Sequence, residues 1–108
     1  EEEEADKLIE DAKMLERIGC FALVLEKIPA HLAEKVAKSI SIPVIGIGAG
    51  GGVDGQVLVI HDMLGMNNEF NPRFLRRYLD LYEQMTTAIG NYVSDVKSKD
   101  FPNASEQY

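Results

Sequence analysis

Glu26 stands at the end of an unbroken apolar run, Phe21-Ala22-Leu23-Val24-Leu25, and just ahead of Lys27-Ile28-Pro29. In parallel α/β folds the carboxyl ends of the strands face the ligand site, and a carboxylate there with apolar neighbours is suited to work as a general base. The plainer reading of Glu26 is a solvated charge that opens a loop. A second candidate is the stretch Gly46-Ile47-Gly48-Ala49-Gly50-Gly51, which formally matches the GxGxxG pattern of dinucleotide sites. That use requires a long helix beginning inside the match, and Gly52-Val53-Asp54-Gly55 is a poor start for one. The same glycines serve better as a loop around Gly48 and Gly50 whose missing side chains let backbone N–H groups or a substrate approach closely, or simply as a tight turn.

The remaining polar candidates have ordinary explanations beside the functional ones. His61-Asp62 ends the apolar run Val57-Leu58-Val59-Ile60 and could shuttle a proton or ligate a metal, whereas His31 fits the polar face of a helix. Two histidines without organised carboxylate or thiol spacing do not make a metal site, so none is expected within this chain. Asp54 reads as a helix cap or turn residue. Arg73, Arg76 and Arg77 read as a solvated or subunit-contacting surface, with contact to an anionic cofactor as the alternative; on a helix, Arg73 and Arg77 share a face.

These residues have to be placed by the elements around them. Ala5, Leu8, Ile9, Ala12, Leu15 and Ile18 recur at helical spacing and predict a helix from about Glu4 to Ile18, its acidic start suited to the positive end of the dipole and its end set by Gly19. Phe21–Leu25 predicts a strand buried on both faces. Leu32, Ala33, Val36, Ala37 and Ile40 predict a helix between Pro29 and Ile40, with Glu34 and Lys38 paired across a turn, and Pro43–Ile47 predicts a second buried strand. Helix, strand, helix, strand with short joins is the order of parallel βα units, so the fold class is α/β. Val57–Ile60 predicts a third strand, with a helix over residues 54–64 as the other possibility. Asn71-Pro72 predicts a cap and first turn for a helix carrying Phe74, Leu75, Tyr78, Leu79 and Tyr82. Met85, Ile89, Tyr92, Val93 and Val96 extend the stripe, with a break between Asp80 and Gln84, and residues 98–108 read as a tail.

The chain has 108 residues, 45% of them hydrophobic, which makes one unit over 1–108 the simplest count, with residues 1–4 an acidic lead-in. A formal charge of -7 disfavours nucleic acid and anionic membranes as partners and leaves a small molecule or another protein. The single cysteine, Cys20, cannot close an internal disulfide, and no apolar stretch reaches the roughly 20 residues of a membrane span, so a cytoplasmic protein is expected. The absence of an initiator methionine before the acidic run is expected of a piece of something longer.

Three segments together resemble the ketopantoate hydroxymethyltransferase family: Leu23-Val24-Leu25-Glu26-Lys27-Ile28-Pro29, Ile42-Pro43-Val44-Ile45-Gly46-Ile47-Gly48-Ala49-Gly50, and Asp54 through Gly65. The likeness runs from about residue 5 to Asp100-Phe101-Pro102. The resemblance implies a (β/α)8 TIM barrel, of which this chain would be the C-terminal part, the last three strands and their helices. It also implies the reaction, transfer of a hydroxymethyl group from 5,10-methylenetetrahydrofolate to magnesium-bound 2-oxoisovalerate, giving ketopantoate. The family's proposed base matches Glu26, and the loop at Gly48 and Gly50 would border the substrate. The family's Mg2+ ligands and its lysine and histidine substrate contacts match no segment here, so this chain alone is expected to be inactive. A homo-oligomer, a decamer in the family's bacterial members, is implied as well. Two other readings are a non-catalytic half-barrel serving as scaffold or oligomerisation module, and a phosphate-binding barrel that uses the glycine loop.

Overall fold

A computed structural model describes residues 2–108, and the chain divides into two compact units, Glu1–Leu58 and Val59–Tyr108. The element order is α1 (Glu2–Arg17), β1 (Leu23–Glu26), α2 (Ala30–Ser39), β2 (Val44–Ile47), β3 (Gly55–Gln56), α3 (Ile60–Met63) and α4 (Leu81–Ser98). The expected α/β class is what the first unit shows: three strands in the order β1-β2-β3, every pairing parallel.

In the first unit α1 ends where Gly19 takes φ 101°. The Cys20 N–H donates to the Leu15 carbonyl and the Gly19 N–H to that of Glu16, the paired bonds that close a helix through a left-handed residue. The chain then enters β1. Leu8, Ile9, Ala12 and Leu15 of α1 and Ala33, Val36 and Ala37 of α2 meet Leu23, Leu25 and Val44 in one apolar core. Val36 and Val44 are wholly enclosed, worth about 2 kcal/mol each over exposure. The Ser41 N–H donates to Glu16 at 2.7 Å and ties the α2–β2 turn to α1. Glu34 and Lys38 pair across one turn of α2, as their spacing predicts.

Two strand expectations change. β1 is buried on one face only, since Leu23 and Leu25 point into the core while Val24 is 64% exposed and Phe21, just before the strand, 89%. The continuous apolar run asks for cover on both faces, and within this unit the helices supply it on one. The third strand is Gly55–Gln56 and not Val57–Ile60. The Asp54 N–H donates to the Val44 carbonyl and the Val57 N–H to that of Gly46, so β2 selects residues 54–57 as its neighbour. Ile60–Met63 is then helical, which also limits the alternative helix over 54–64 to its last part.

In the second unit the helix expected from Asn71-Pro72 is absent, and residues 71–80 form a turn, a bend and irregular chain. Tyr78 there donates to Met63, and Leu81 and Tyr82, the first residues of the helix that follows, donate to Leu64 and Gly65. Arg77 Nη2 donates at 3.0 Å to the carbonyls of both Asn67 and Phe70, bracing the loop from inside. The continuation of the stripe is helical as expected, but as α4 from Leu81, after an N-cap Asp80 whose side chain makes no capping bond. Beyond α4 the tail has local order, with the Phe101 ring edge-on to Tyr92 at 5.7 Å.

Candidate active site

The parallel register brings the carboxyl ends of β1 and β2 to one level, with Glu26 opposite Ile47. Side chains alternate along a strand, and Leu23 and Leu25 take the helix-covered face. Glu26 therefore shares the open face with Val24 and is exposed there. Lys27 turns the chain out of the strand at φ 54°, a left-handed conformation unusual for a residue with a Cβ, and its N–H closes the rim on the Ile47 carbonyl at 2.9 Å. Among the described residues the Glu26 carboxylate has no hydrogen-bond or ion-pair partner.

The glycine loop starts one residue past Ile47, on the same rim. Gly48 and Gly50 have φ 62° and 80°, and Ala49 between them is buried. A Cβ on Gly50 would collide with Ala30, the first residue of α2. The close approach that the missing side chain permits is thus made by α2, which follows Pro29 at φ -51° and ψ 132°. The loop then curls back until Gln56 Nε2 donates to the Gly50 carbonyl at 2.8 Å. Strand ends, a free carboxylate and a loop clamped beside it form the kind of edge on which parallel α/β proteins hold small molecules.

A family model described as ketopantoate hydroxymethyltransferase matches residues 1–104, which include every residue of this rim. The chain belongs to the ketopantoate hydroxymethyltransferase family. It is 82% identical over all 108 residues to a protein of Flavobacterium johnsoniae and 70% identical over the same length to one of Christiangramia forsetii, in each case covering 40% of the relative. A protein of Bacteroides fragilis is 73% identical over 105 residues, 97% of this chain and 38% of the relative. All three are named 3-methyl-2-oxobutanoate hydroxymethyltransferase, and the chain spans about 40% of the length of these curated relatives.

The other candidate residues lie elsewhere. Asp54 is neither a helix cap nor on the rim: its Oδ2 accepts from the Val44 N–H at 2.8 Å, at the opposite end of β2. His31 is exposed on α2. In the second unit His61 is exposed on α3, and with no helix over 71–80 Arg73 and Arg77 do not share a helical face. Arg77 is the brace described above, and the Arg76 guanidinium lies 6.0 Å from the centre of the Tyr78 ring. Among the described residues no three His, Cys, Asp or Glu side chains stand together as a metal would require, and no helix is long and apolar enough to cross a membrane. The perturbed carboxyls lie on helix surfaces, Glu10 on α1 and Glu34 on α2 beside Gly52 of the loop: hydrogen bonds first, then the charges, of Lys13 and Lys38 hold them below the usual range. The parts played by Lys27 and Gln56 leave no local sign in the sequence, because a left-handed φ and a bond back over six residues become visible only once the strand register is known.

Proposed function

We propose that this chain supplies the base and one wall of the substrate site to a ketopantoate hydroxymethyltransferase, as the C-terminal part of a (β/α)8 barrel, and that both compact units belong to that one barrel. The observation that carries the reading is the position of Glu26: at the carboxyl end of β1, on the open face of the sheet, in register with Ile47 and beside the glycine loop. Cover is missing on that face and also along the free edge of β1. There a hollow of about 270 Å³, lined by Leu8, Ala12, Leu15, Leu23 and Leu25 among others, opens between α1 and the strand. A preceding strand and its helix would fill it, as barrel closure requires.

In this reading Glu26 takes the proton from C3 of 2-oxoisovalerate, and the electron pair left on C3 forms the new bond to the methylene carbon of 5,10-methylenetetrahydrofolate. Both C–N bonds from that carbon to the folate break, one as the C–C bond forms and the other as water supplies the hydroxyl; the proton taken from C3 and one from the water end on the two nitrogens, and tetrahydrofolate leaves. Gly48 and Gly50 border the substrate. Among the described residues no cluster fits a Mg2+ site, so the metal that the resemblance implies would be held by residues outside this chain, where it would polarise the substrate carbonyl. The complete enzyme is a cytoplasmic homo-oligomer in this proposal, and the 108 residues alone give no turnover. Exchange of the C3 proton of 2-oxoisovalerate in D2O, with the folate left out, tests the base directly in the complete enzyme. Glu26→Gln should abolish exchange while the protein stays folded; exchange at the unsubstituted rate would overturn the assignment.

A further inference from the structure

Gln56 has a place in the rim that neither the resemblance nor the base assignment accounts for. It is the last residue of β3 and pairs in register with Gly46, one residue short of the level of Glu26 and Ile47. Gly46 is buried in the same row as Leu25, on the helix-covered face, opposite to the face that carries Glu26. A side chain at Gly46 would meet Val53 Cγ2 at 3.0 Å and Gln56 Oε1 at 3.4 Å, so the bare strand leaves the room in which the loop folds back. Through that room Gln56 reaches the Gly50 carbonyl from below the rim. The loop is thereby held by Gly50 against Ala30, by Gly52 against Glu34 and by the Gly50 carbonyl on Gln56, the last its side-chain hydrogen bond. Because a trans peptide sets its C=O and N–H in opposite directions, fixing the Gly50 carbonyl toward Gln56 turns the Gly51 N–H away from it.

We propose that Gln56 is a positioning residue: its amide holds the loop of Gly48 and Gly50 in the shape that borders the substrate next to Glu26. This rests on the reading of Glu26 as the base. The bond works without touching the substrate, so its loss should weaken substrate binding and leave the proton transfer itself largely intact. Losing one such neutral hydrogen bond corresponds to about tenfold in affinity at most.

The test uses the complete enzyme with Gln56→Leu and Gln56→Glu. The first removes the donor at all pH; the second restores it only when its carboxyl is protonated. The Michaelis constant for 2-oxoisovalerate is expected to rise by up to about tenfold in both at neutral pH, with kcat changed far less. Toward lower pH the defect of Gln56→Glu, measured against the unsubstituted enzyme, should shrink while that of Gln56→Leu persists. Amide exchange over residues 48–53 should be faster in Gln56→Leu. Unchanged Michaelis constants in both variants, or equal defects across pH, would overturn the proposal. So would failure of both variants to fold, since a residue that only shapes an exposed loop leaves folding intact. Should Glu26→Gln retain C3 exchange while the Gln56 variants behave as expected, the base assignment fails and the clamp stands.

Discussion

The two ends of the three-stranded sheet each carry a carboxylate, and they use it in opposite ways. At the amino end Asp54 and Val44 form a reciprocal pair: the Asp54 N–H donates to the Val44 carbonyl, and the Val44 N–H donates to the Asp54 side chain. At the carboxyl end the Glu26 carboxylate sits on the rim with no partner among the described residues. Both residues border strands, and neither composition nor charge separates them. The difference lies in the backbone beside them. Around Asp54 an incoming strand needs its first N–H satisfied, whereas past Glu26 the Lys27 N–H already has the Ile47 carbonyl. A carboxylate that the fold does not use is available for chemistry.

That contrast can be broken by substitution at either end. The largest effect is expected from Glu26→Gln in the complete enzyme, where loss of a general base lowers kcat by about 10²- to 10⁴-fold with little change in melting temperature. A large drop in melting temperature would make Glu26 structural after all. Next comes Gly50→Ala, which should lower stability by about 3 kcal/mol in denaturant titration, since it combines a left-handed backbone with a collision against Ala30. Gly51→Ala, where a Cβ meets nothing within 4 Å, is its control and should stay within about 0.5 kcal/mol. Equal losses at the two glycines would remove the α2 approach as the reason for Gly50. Asp54→Ala should follow at about 2 kcal/mol, through the Val44 N–H left without its acceptor, while the pH dependence of C3 exchange stays unchanged. A shift in that pH profile would move Asp54 to the functional side of the comparison.

The smallest effect belongs to a carboxylate that is paired but exposed. Lys38 holds Glu34 below its ordinary pKa by a hydrogen bond and by charge. A depressed carboxylate contributes stability that is present above its unfolded pKa and is lost as pH falls through the folded value. Lys38→Ala should therefore leave stability at neutral pH almost unchanged and remove only a slight acid-side dependence, because the pair is open to solvent. Acid titration of unfolding checks it, and a marked loss at neutral pH would contradict an exposed pair.

The presence and order of α1, β1, α2 and β2 were legible because apolar spacing, Gly19 and Pro29 mark them locally, although β1 begins at Leu23 and not at Phe21 and takes in Glu26. Glu26 was legible for the same reason, since a charge that ends an apolar run marks a strand end. The segment 71–80 misled, because Asn71-Pro72 followed by an apolar stripe carries every local sign of a helix. Its Tyr78 N–H instead reaches Met63, and Leu81 and Tyr82 just beyond it reach Leu64 and Gly65, partners that no local pattern reveals. Val57–Ile60 misled for a related reason: its side chains favour a strand, yet the free carbonyls of β2 paired with residues 54–57.

By itself the sequence determined the α/β class, the order of the first helices and strands, and the carboxylate at the end of β1, all of which follow from periodicities shorter than one element. The tertiary structure decided which residues pair as β3, that Gly50 makes room for Ala30, that Asp54 is bound to the sheet while Glu26 is left open, and that Gln56 closes the loop. Each of those depends on where an edge N–H or carbonyl from another part of the chain comes to lie, and its partner is chosen in space and not by distance along the chain.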